Sequence, residues 1–274
     1  MGVYTQDEFT QDHLLEIAKA CGIAAAKAPT ITNQLDLKME ILTDTDNDLD
    51  DIHEVLATLG KTSAFQLHDA VVFKKLKELG KHPPLLLLGA DLTKPPLWDC
   101  GACGFKSCGE YIKYVSTNKG TGIGAYGPSC LWKVLDFGIA CDYAAAAAAM
   151  HRVETRLLFS LGATALFLNR LEGTSFIIGM PVGPVGMNNW FDRDIWQEHF
   201  SYENRLQAQL LGGPSLHMAF SGTGNPVIKS KSKWWEDPTF LKIEEDEEFV
   251  KKDQEGKEMI FNKIMELSGV LDEE

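Results

Sequence analysis

The sequence predicts an α/β or α+β protein, a central mixed sheet flanked by helices and interrupted by a cysteine-rich loop. Three observations carry this expectation. Residues 37–42, 85–88 and 176–179 are apolar in alternation or in unbroken runs, as strands are. Between them, apolar residues recur at i, i+3, i+4 and i+7, the spacing of a helix face laid on a sheet. Four of the six cysteines fall between Cys100 and Cys130, largely in a stretch rich in glycine.

Taken in order, Thr5 and Glu8 stand three apart before a periodic segment, which fits a capping box. Leu14, Leu15, Ala18, Cys21 and Ala25 give the first helix its apolar face, and the helix ends before Pro29. Cys21 on that face reads as a small buried hydrophobe. Leu37, Met39 and Ile41 alternate with Lys38, Glu40 and Leu42 as in a strand. The acidic run from Asp44 to Asp51 suits the start of a helix lined by Ile52, Val55, Leu56 and Leu59 and stopped at Gly60. A short strand at Phe65 and a helix with Val72, Phe73, Leu76 and Leu79 follow.

The run 85–88 lies between Pro84 and Gly89 and reads as a central strand covered on both faces. Functional loops commonly leave the carboxyl ends of such strands, and the cysteine loop comes next. Residues 110–115 read as a short helix and 117–128 as a loop. A long helix starts at Cys130, its alanine run from 144 to 149 suited to tight packing. Cys141 is 11 residues beyond Cys130, about 16 Å along a helix, and reads as buried structure. A helix over 154–161 with Gly162 as its stop, the strand 176–179 and a Gly/Pro-rich connection complete a core of residues 1–193. Asp192 and Arg193 read as a structural pair. Residues 194–274 carry Trp196, Phe200, Trp234 and Trp235, then a terminal helix with Met259, Ile260, Ile264 and Leu267. They read as an extension packing on the core or a partner.

Composition sets outer limits. A chain of 274 residues buries roughly 70–75% of its unfolded surface without needing a metal or disulfide. The net charge of −13, from 26 basic and 39 acidic residues, argues against nucleic acid or an anionic membrane as main partner. The opening MGVYTQDEFTQ lacks the pattern of a signal peptide, and the apolar runs fall short of a bilayer span of about 20 residues. With closely spaced free thiols, this favours the cytoplasm.

Chemistry concentrates in segment 98–130. Cys100, Cys103 and Cys108 form Cys-x2-Cys-x4-Cys, and Cys130 follows after 21 residues. Soft thiolates at short spacing suit an iron–sulfur cluster or zinc. Gly101, Gly104 and Gly109 let the chain curl and leave backbone N–H groups facing sulfur. Zinc modules usually show two short cysteine pairs, so three crowded cysteines and a lone fourth favour a [4Fe–4S] cluster over zinc. Trp98, Phe105 and Trp132 are expected to limit water access. The seven histidines are scattered, and no dinucleotide fingerprint or P-loop is present.

The stretch DCGACGFKSCGEYI resembles the small iron–sulfur domain of corrinoid iron–sulfur proteins and of electron-transport subunits feeding ferredoxin-linked complexes. The resemblance implies that Cys100, Cys103 and Cys108 ligate one [4Fe–4S] cluster with a later cysteine, matched here by Cys130 after a longer insertion. Over roughly residues 10–193 the chain resembles a family of proteins containing a ferredoxin domain. The matching pieces are AAAKAP, LLLLGAD, the cysteine run, GPSC, LDFGIA and GMPVGPVGMNNWFDR. That likeness implies a cluster and no assigned reaction. AKAPTITNQLDLKMEILTD, a long central helix and a late strand ending in GMP are also similar to flavin-binding nitroreductases, without their Arg-rich phosphate-binding opening. This implies an α+β fold with FMN between protein layers at a subunit interface, and Lys27 and Asn33 as its contacts.

The expectation is therefore a cytoplasmic protein relaying single electrons through a [4Fe–4S] cluster, in company with a redox protein partner or further copies of itself. An FMN-dependent oxidoreductase fed by the cluster and a zinc-stabilised interaction protein are the alternatives.

Overall fold

A computed structural model describes residues 3, 5–45, 47–61, 64–118, 120–122, 124–185, 190, 228–229, 242–243 and 247–267. The expectations for Asp192, Arg193, Trp196, Phe200, Trp234 and Trp235 lie outside the described residues. By its internal contacts the chain divides into two compact units, residues 1–52 with 80–192, and 53–79 with 193–274.

In the first unit, the capping box forms as expected. Thr5 N–H donates to Glu8 Oε2 at 2.7 Å, Glu8 N–H donates to Thr5 Oγ1 at 3.4 Å, and α1 (Gln6–Ala26) begins. The strands β1 (Leu37–Leu42), β2 (Leu85–Ala90), β3 (Gly120–Gly122), β4 (Ala125–Gly127) and β5 (Phe176–Pro181) make one sheet in the order β1-β2-β5-β4-β3. Every pairing is antiparallel, so the α+β form of the expectation holds and the mixed sheet is corrected. An apolar run reports burial, not strand direction. All six residues of β2 are buried, between β1 and β5 and under helices on both faces.

Leu86, Leu88 and Ala90 share one core with Leu14, Ala18, Cys21 and Ala25 of α1 and with Phe137, Ala140, Cys141, Ala144 and Ala148 of α5 (Leu131–Met150). The alanine run lets α1 and α5 lie close, as expected from its small side chains. On the other face, α6 (Phe159–Phe167) rides on β5 almost backbone to backbone. A Cβ on Gly162 would lie 1.9 Å from the Ile177 carbonyl oxygen, and one on Gly179 would lie 2.5 Å from Leu161 Cβ. Gly162 is thus a contact residue inside a helix rather than a stop. Of the expected helix over 154–161, residues 159–161 open α6 and 154–158 are extended chain instead, with Thr155 bridging Val182 and Leu158 bridging Gly179. The expected loop 117–128 contains the β3–β4 hairpin, and α4 (Cys108–Thr117) precedes it. Between β1 and β2 run α2 (Asn47–Leu59) and α3 (Ala64–Glu78), so the short strand at Phe65 is corrected to helix. Buried Gln66 and Asp69 extend the buried face of Val72, Phe73 and Leu76 toward the helix start.

In the second unit, His53 stacks on Phe73 with ring centroids 4.6 Å apart. The strands β6 (Ile228–Lys229) and β7 (Lys242–Ile243) pair antiparallel. The expected terminal helix is α7 (Glu247–Leu267), with Ile260 buried and Lys263 ion-paired to Glu54 and Glu266.

Candidate metal centre

The cysteine loop leaves the carboxyl end of β2. Leu92, just beyond that strand, is fixed from two sides: its N–H donates to Ser175 Oγ at 2.8 Å, and its carbonyl accepts from Cys130 N–H at 2.8 Å. The end of β2 therefore sets the position of Cys130. Beside it, burial pushes the Asp91 carboxyl up, but hydrogen bonds from Thr93 and the ammonium of Lys94 outweigh this and hold it below the usual range.

After Pro96 the backbone curls tightly, with positive φ at Leu97, Asp99, Gly101 and Gly104. Gly104 N–H donates to the Gly101 carbonyl at 2.9 Å and closes a turn around Cys103; at φ of 70° and 87° these two positions favour glycine. Asp99 grips Cys108 in both directions. Its N–H donates to Cys108 Sγ at 3.4 Å, and its Oδ1 accepts from Cys108 N–H at 2.6 Å. Trp132, two residues after Cys130, donates its indole N–H to Cys100 Sγ at 3.2 Å. Tyr111, one turn into α4 from Cys108, donates its hydroxyl to the Pro128 carbonyl at 2.7 Å.

Two helix starts present thiols. Cys108 is the first residue of α4, whose N-cap Ser107 accepts from Glu110 N–H at 3.1 Å. Cys130 is itself the N-cap of α5, and its side chain makes no capping bond. Both thiols thus stand where helix dipoles favour negative charge. Cys100 is exposed, Cys103 half-buried, and Cys108 and Cys130 are 7% and 5% exposed. The Ala102 N–H, then the Trp132 indole, hold the Cys100 thiol below its ordinary pKa. Tyr111 is wholly buried; burial first, then the charges of Cys130, Cys103, Asp91 and Cys108, push its hydroxyl pKa up. Three of the four sequence-identified cysteines therefore lie within electrostatic reach of one side chain, and the fourth is tied to Trp132.

The first turns of α5 hold a further set of polar groups. Asp136, wholly buried, accepts from Ile31 N–H at 2.6 Å, Thr32 N–H at 3.1 Å and Thr32 Oγ1 at 2.5 Å. Lys133, 5% exposed, donates Nζ to the Gln34 carbonyl. Burial pushes the Lys133 pKa down, against the opposing pull of Asp136, Cys130, Asp36 and Asp91. Lys27 is the exposed C-cap of α1, and Asn33 is exposed at φ 51° in the loop held by Asp136. Cys21 and Cys141 are buried among alanines as expected, their thiols pushed up by burial to about 11 and about 12.

Asp99, Tyr111, Lys133 and Asp136 escape a reading that searches for cysteines. The available signal was two charges three apart in the first turns of a largely apolar helix, and a carboxylate next to the first thiol. The aromatic cover expected over the site is partial. Trp98 packs edge-on to Trp132 at 6.1 Å but is 46% exposed, and water reaches Cys100 while Cys108 and Cys130 are sheltered. Among the described residues, no three His, Cys, Asp or Glu side chains close on one point to hold a single ion. Four soft thiol donors, N–H groups directed at two of the sulfurs and two helix starts fit an iron–sulfur group.

Residues 126–193 match a family described as "Uncharacterized protein containing a ferredoxin domain". The chain is similar to a ferredoxin-domain family. The matched span, about a quarter of the chain, takes in Cys130, α5, α6 and β5 but not Cys100, Cys103 or Cys108. A protein of Archaeoglobus fulgidus described as "Uncharacterized protein" is 30% identical over 125 residues, 46% of this chain. The match spans 65% of that relative's length. No solved structure matches the chain. Among the described residues, no helix is long and apolar enough to cross a membrane.

Proposed function

We propose that the chain holds one [4Fe–4S] cluster on Cys100, Cys103, Cys108 and Cys130 and relays single electrons in the cytoplasm, with a redox protein or further copies of itself as partner. The observation that carries this reading is the stitching of the cysteine loop to the start of α5, by Tyr111 to Pro128 and Trp132 to Cys100. It keeps the distant Cys130 beside a loop 21 residues away in sequence. Such a cluster exchanges one electron at a time, at a potential set by charge, hydrogen bonds to sulfur and exposure. The chain contributes to each of these. Asp99 N–H and the Trp132 indole offset negative charge on Cys108 and Cys100. Burial of Cys108 and Cys130 limits solvent, and exposed Cys100 offers the route to a partner. The similarity to a ferredoxin-domain family supports the same reading.

The cysteine spacing favours a cluster over zinc. Zinc modules usually hold two short cysteine pairs, whereas Cys100, Cys103 and Cys108 crowd together and Cys130 stands alone. Anaerobic purification with iron, acid-labile sulfide, zinc and flavin assays tests the proposal. Iron and sulfide in near-equal amounts are expected, and Cys103→Ala is expected to lose most of both while keeping the wild-type helical signal by circular dichroism. Zinc without sulfide, or full iron retention in the variant, overturns it. Flavin released on denaturation would instead support the FMN alternative, with Lys27 and Asn33 as the residues to vary.

A further inference from the structure

Lys133 is a buried cation near the thiols whose chemistry the ligand set leaves unused. It stands three residues after Cys130, at the third position of α5, and both residues are 5% exposed. A buried ammonium is costly unless paired, and it has three N–H donors to satisfy. Among the described residues its Nζ has one hydrogen bond, to the Gln34 carbonyl, and that bond holds it in place without neutralising it. Three carboxylates lie within its electrostatic reach. Asp136, the strongest of them, shares the ammonium while accepting from Ile31 and Thr32, and Asp91 accepts from Thr93 and pairs with Lys94. Asp36, the remaining one, is exposed and therefore screened by solvent. The sheltered Cys130 thiol pulls on the ammonium in the same direction as these carboxylates.

We infer that Lys133 is the internal countercharge of the cluster, a fixed cation that favours the reduced, more negative state and so raises its potential. This rests on the cluster reading above. In a dry site a charge acts over several ångströms with little screening, which makes burial of Lys133 as important as its nearness. Gln34 is then the anchor that keeps the cation from turning out to solvent, and the contacts of Asp136 with Ile31 and Thr32 hold that anchor's loop to the same helix.

Two substitutions separate charge from hydrogen bonding. Lys133→Gln keeps a donor for the Gln34 carbonyl and removes the charge; Lys133→Arg keeps the charge. Anaerobic protein of each kind is titrated reductively, with the electron paramagnetic resonance signal of the reduced state as readout and iron and sulfide content as control. At the wild-type midpoint, Lys133→Gln is expected to be about one-tenth rather than one-half reduced. That is roughly a tenfold fall in ratio, or about 59 mV for one electron. Lys133→Arg is expected to stay near wild type. A Gln variant that keeps its cluster at an unchanged or higher midpoint overturns the inference. Loss of the cluster in both variants also overturns it, by assigning Lys133 to assembly. Wild-type protein without iron sinks the cluster reading itself, an outcome separate from these.

Discussion

Tyr111 is wholly buried, and its hydroxyl reaches the Pro128 carbonyl from a helix whose first residue is Cys108. One hydrogen bond therefore joins the elements that carry two proposed ligands far apart in sequence. Tyr111→Phe keeps the ring against Phe105, 5.5 Å away between centroids, and removes only this bond. The expected loss of stability is about 1–2 kcal/mol by urea unfolding, since the Pro128 carbonyl is left without its partner. Iron should pass to a chelator faster than from wild type, and an unchanged rate would show that the Cys130 corner is held by other contacts. The cysteines themselves were legible in the sequence because thiol spacing is a local signal. Tyr111, Asp99 and Lys133 were not, because each acts on a neighbour that only the fold supplies. A lysine in an apolar helix reads as an exception until Gln34 is seen above it.

At the scale of elements, α6 and β5 meet at Gly162 and Gly179, where a side chain would collide with main chain or Leu161. Replacing a helix-interior glycine by alanine ordinarily gains up to about 1 kcal/mol. At Gly162 the new Cβ would be driven toward the Ile177 carbonyl, and overpacking of this kind costs about 1–3 kcal/mol. Gly162→Ala is therefore expected to destabilise, whereas Gly138→Ala on α5, where a Cβ meets nothing within 4 Å, is expected to be neutral or stabilising. Equal effects in thermal unfolding would contradict this account of the α6–β5 contact. The same pair explains what sequence reading gained and lost. Helices with a regular apolar face, such as α1 and α5, and the doubly covered strand β2 follow from periodicity. A glycine looks alike whether it ends a helix or lets one approach a strand, and strand direction leaves no mark on an apolar run. The β3–β4 hairpin escaped because three-residue strands are too short to show a period.

Two buried thiols give the molecule as a whole a dependence on alkaline pH. Cys21 and Cys141 ionise at about 11 and about 12 in the fold, against an ordinary value of 9.0. Folding opposes their ionisation, so their stabilising contribution is complete below about pH 9 and is lost as pH rises from there toward about 11 and about 12. Urea midpoints should fall over this interval, and Cys141→Ala should flatten the fall; an unchanged slope would assign it to other groups. The proposed ligands differ from this pair in how deep they lie. Cys100 faces solvent while Cys108 and Cys130 begin helices under cover. Dissolved peroxide would meet the outermost sulfur first. Injury would then begin at one corner and move inward, leaving the two sheltered thiols intact for repair.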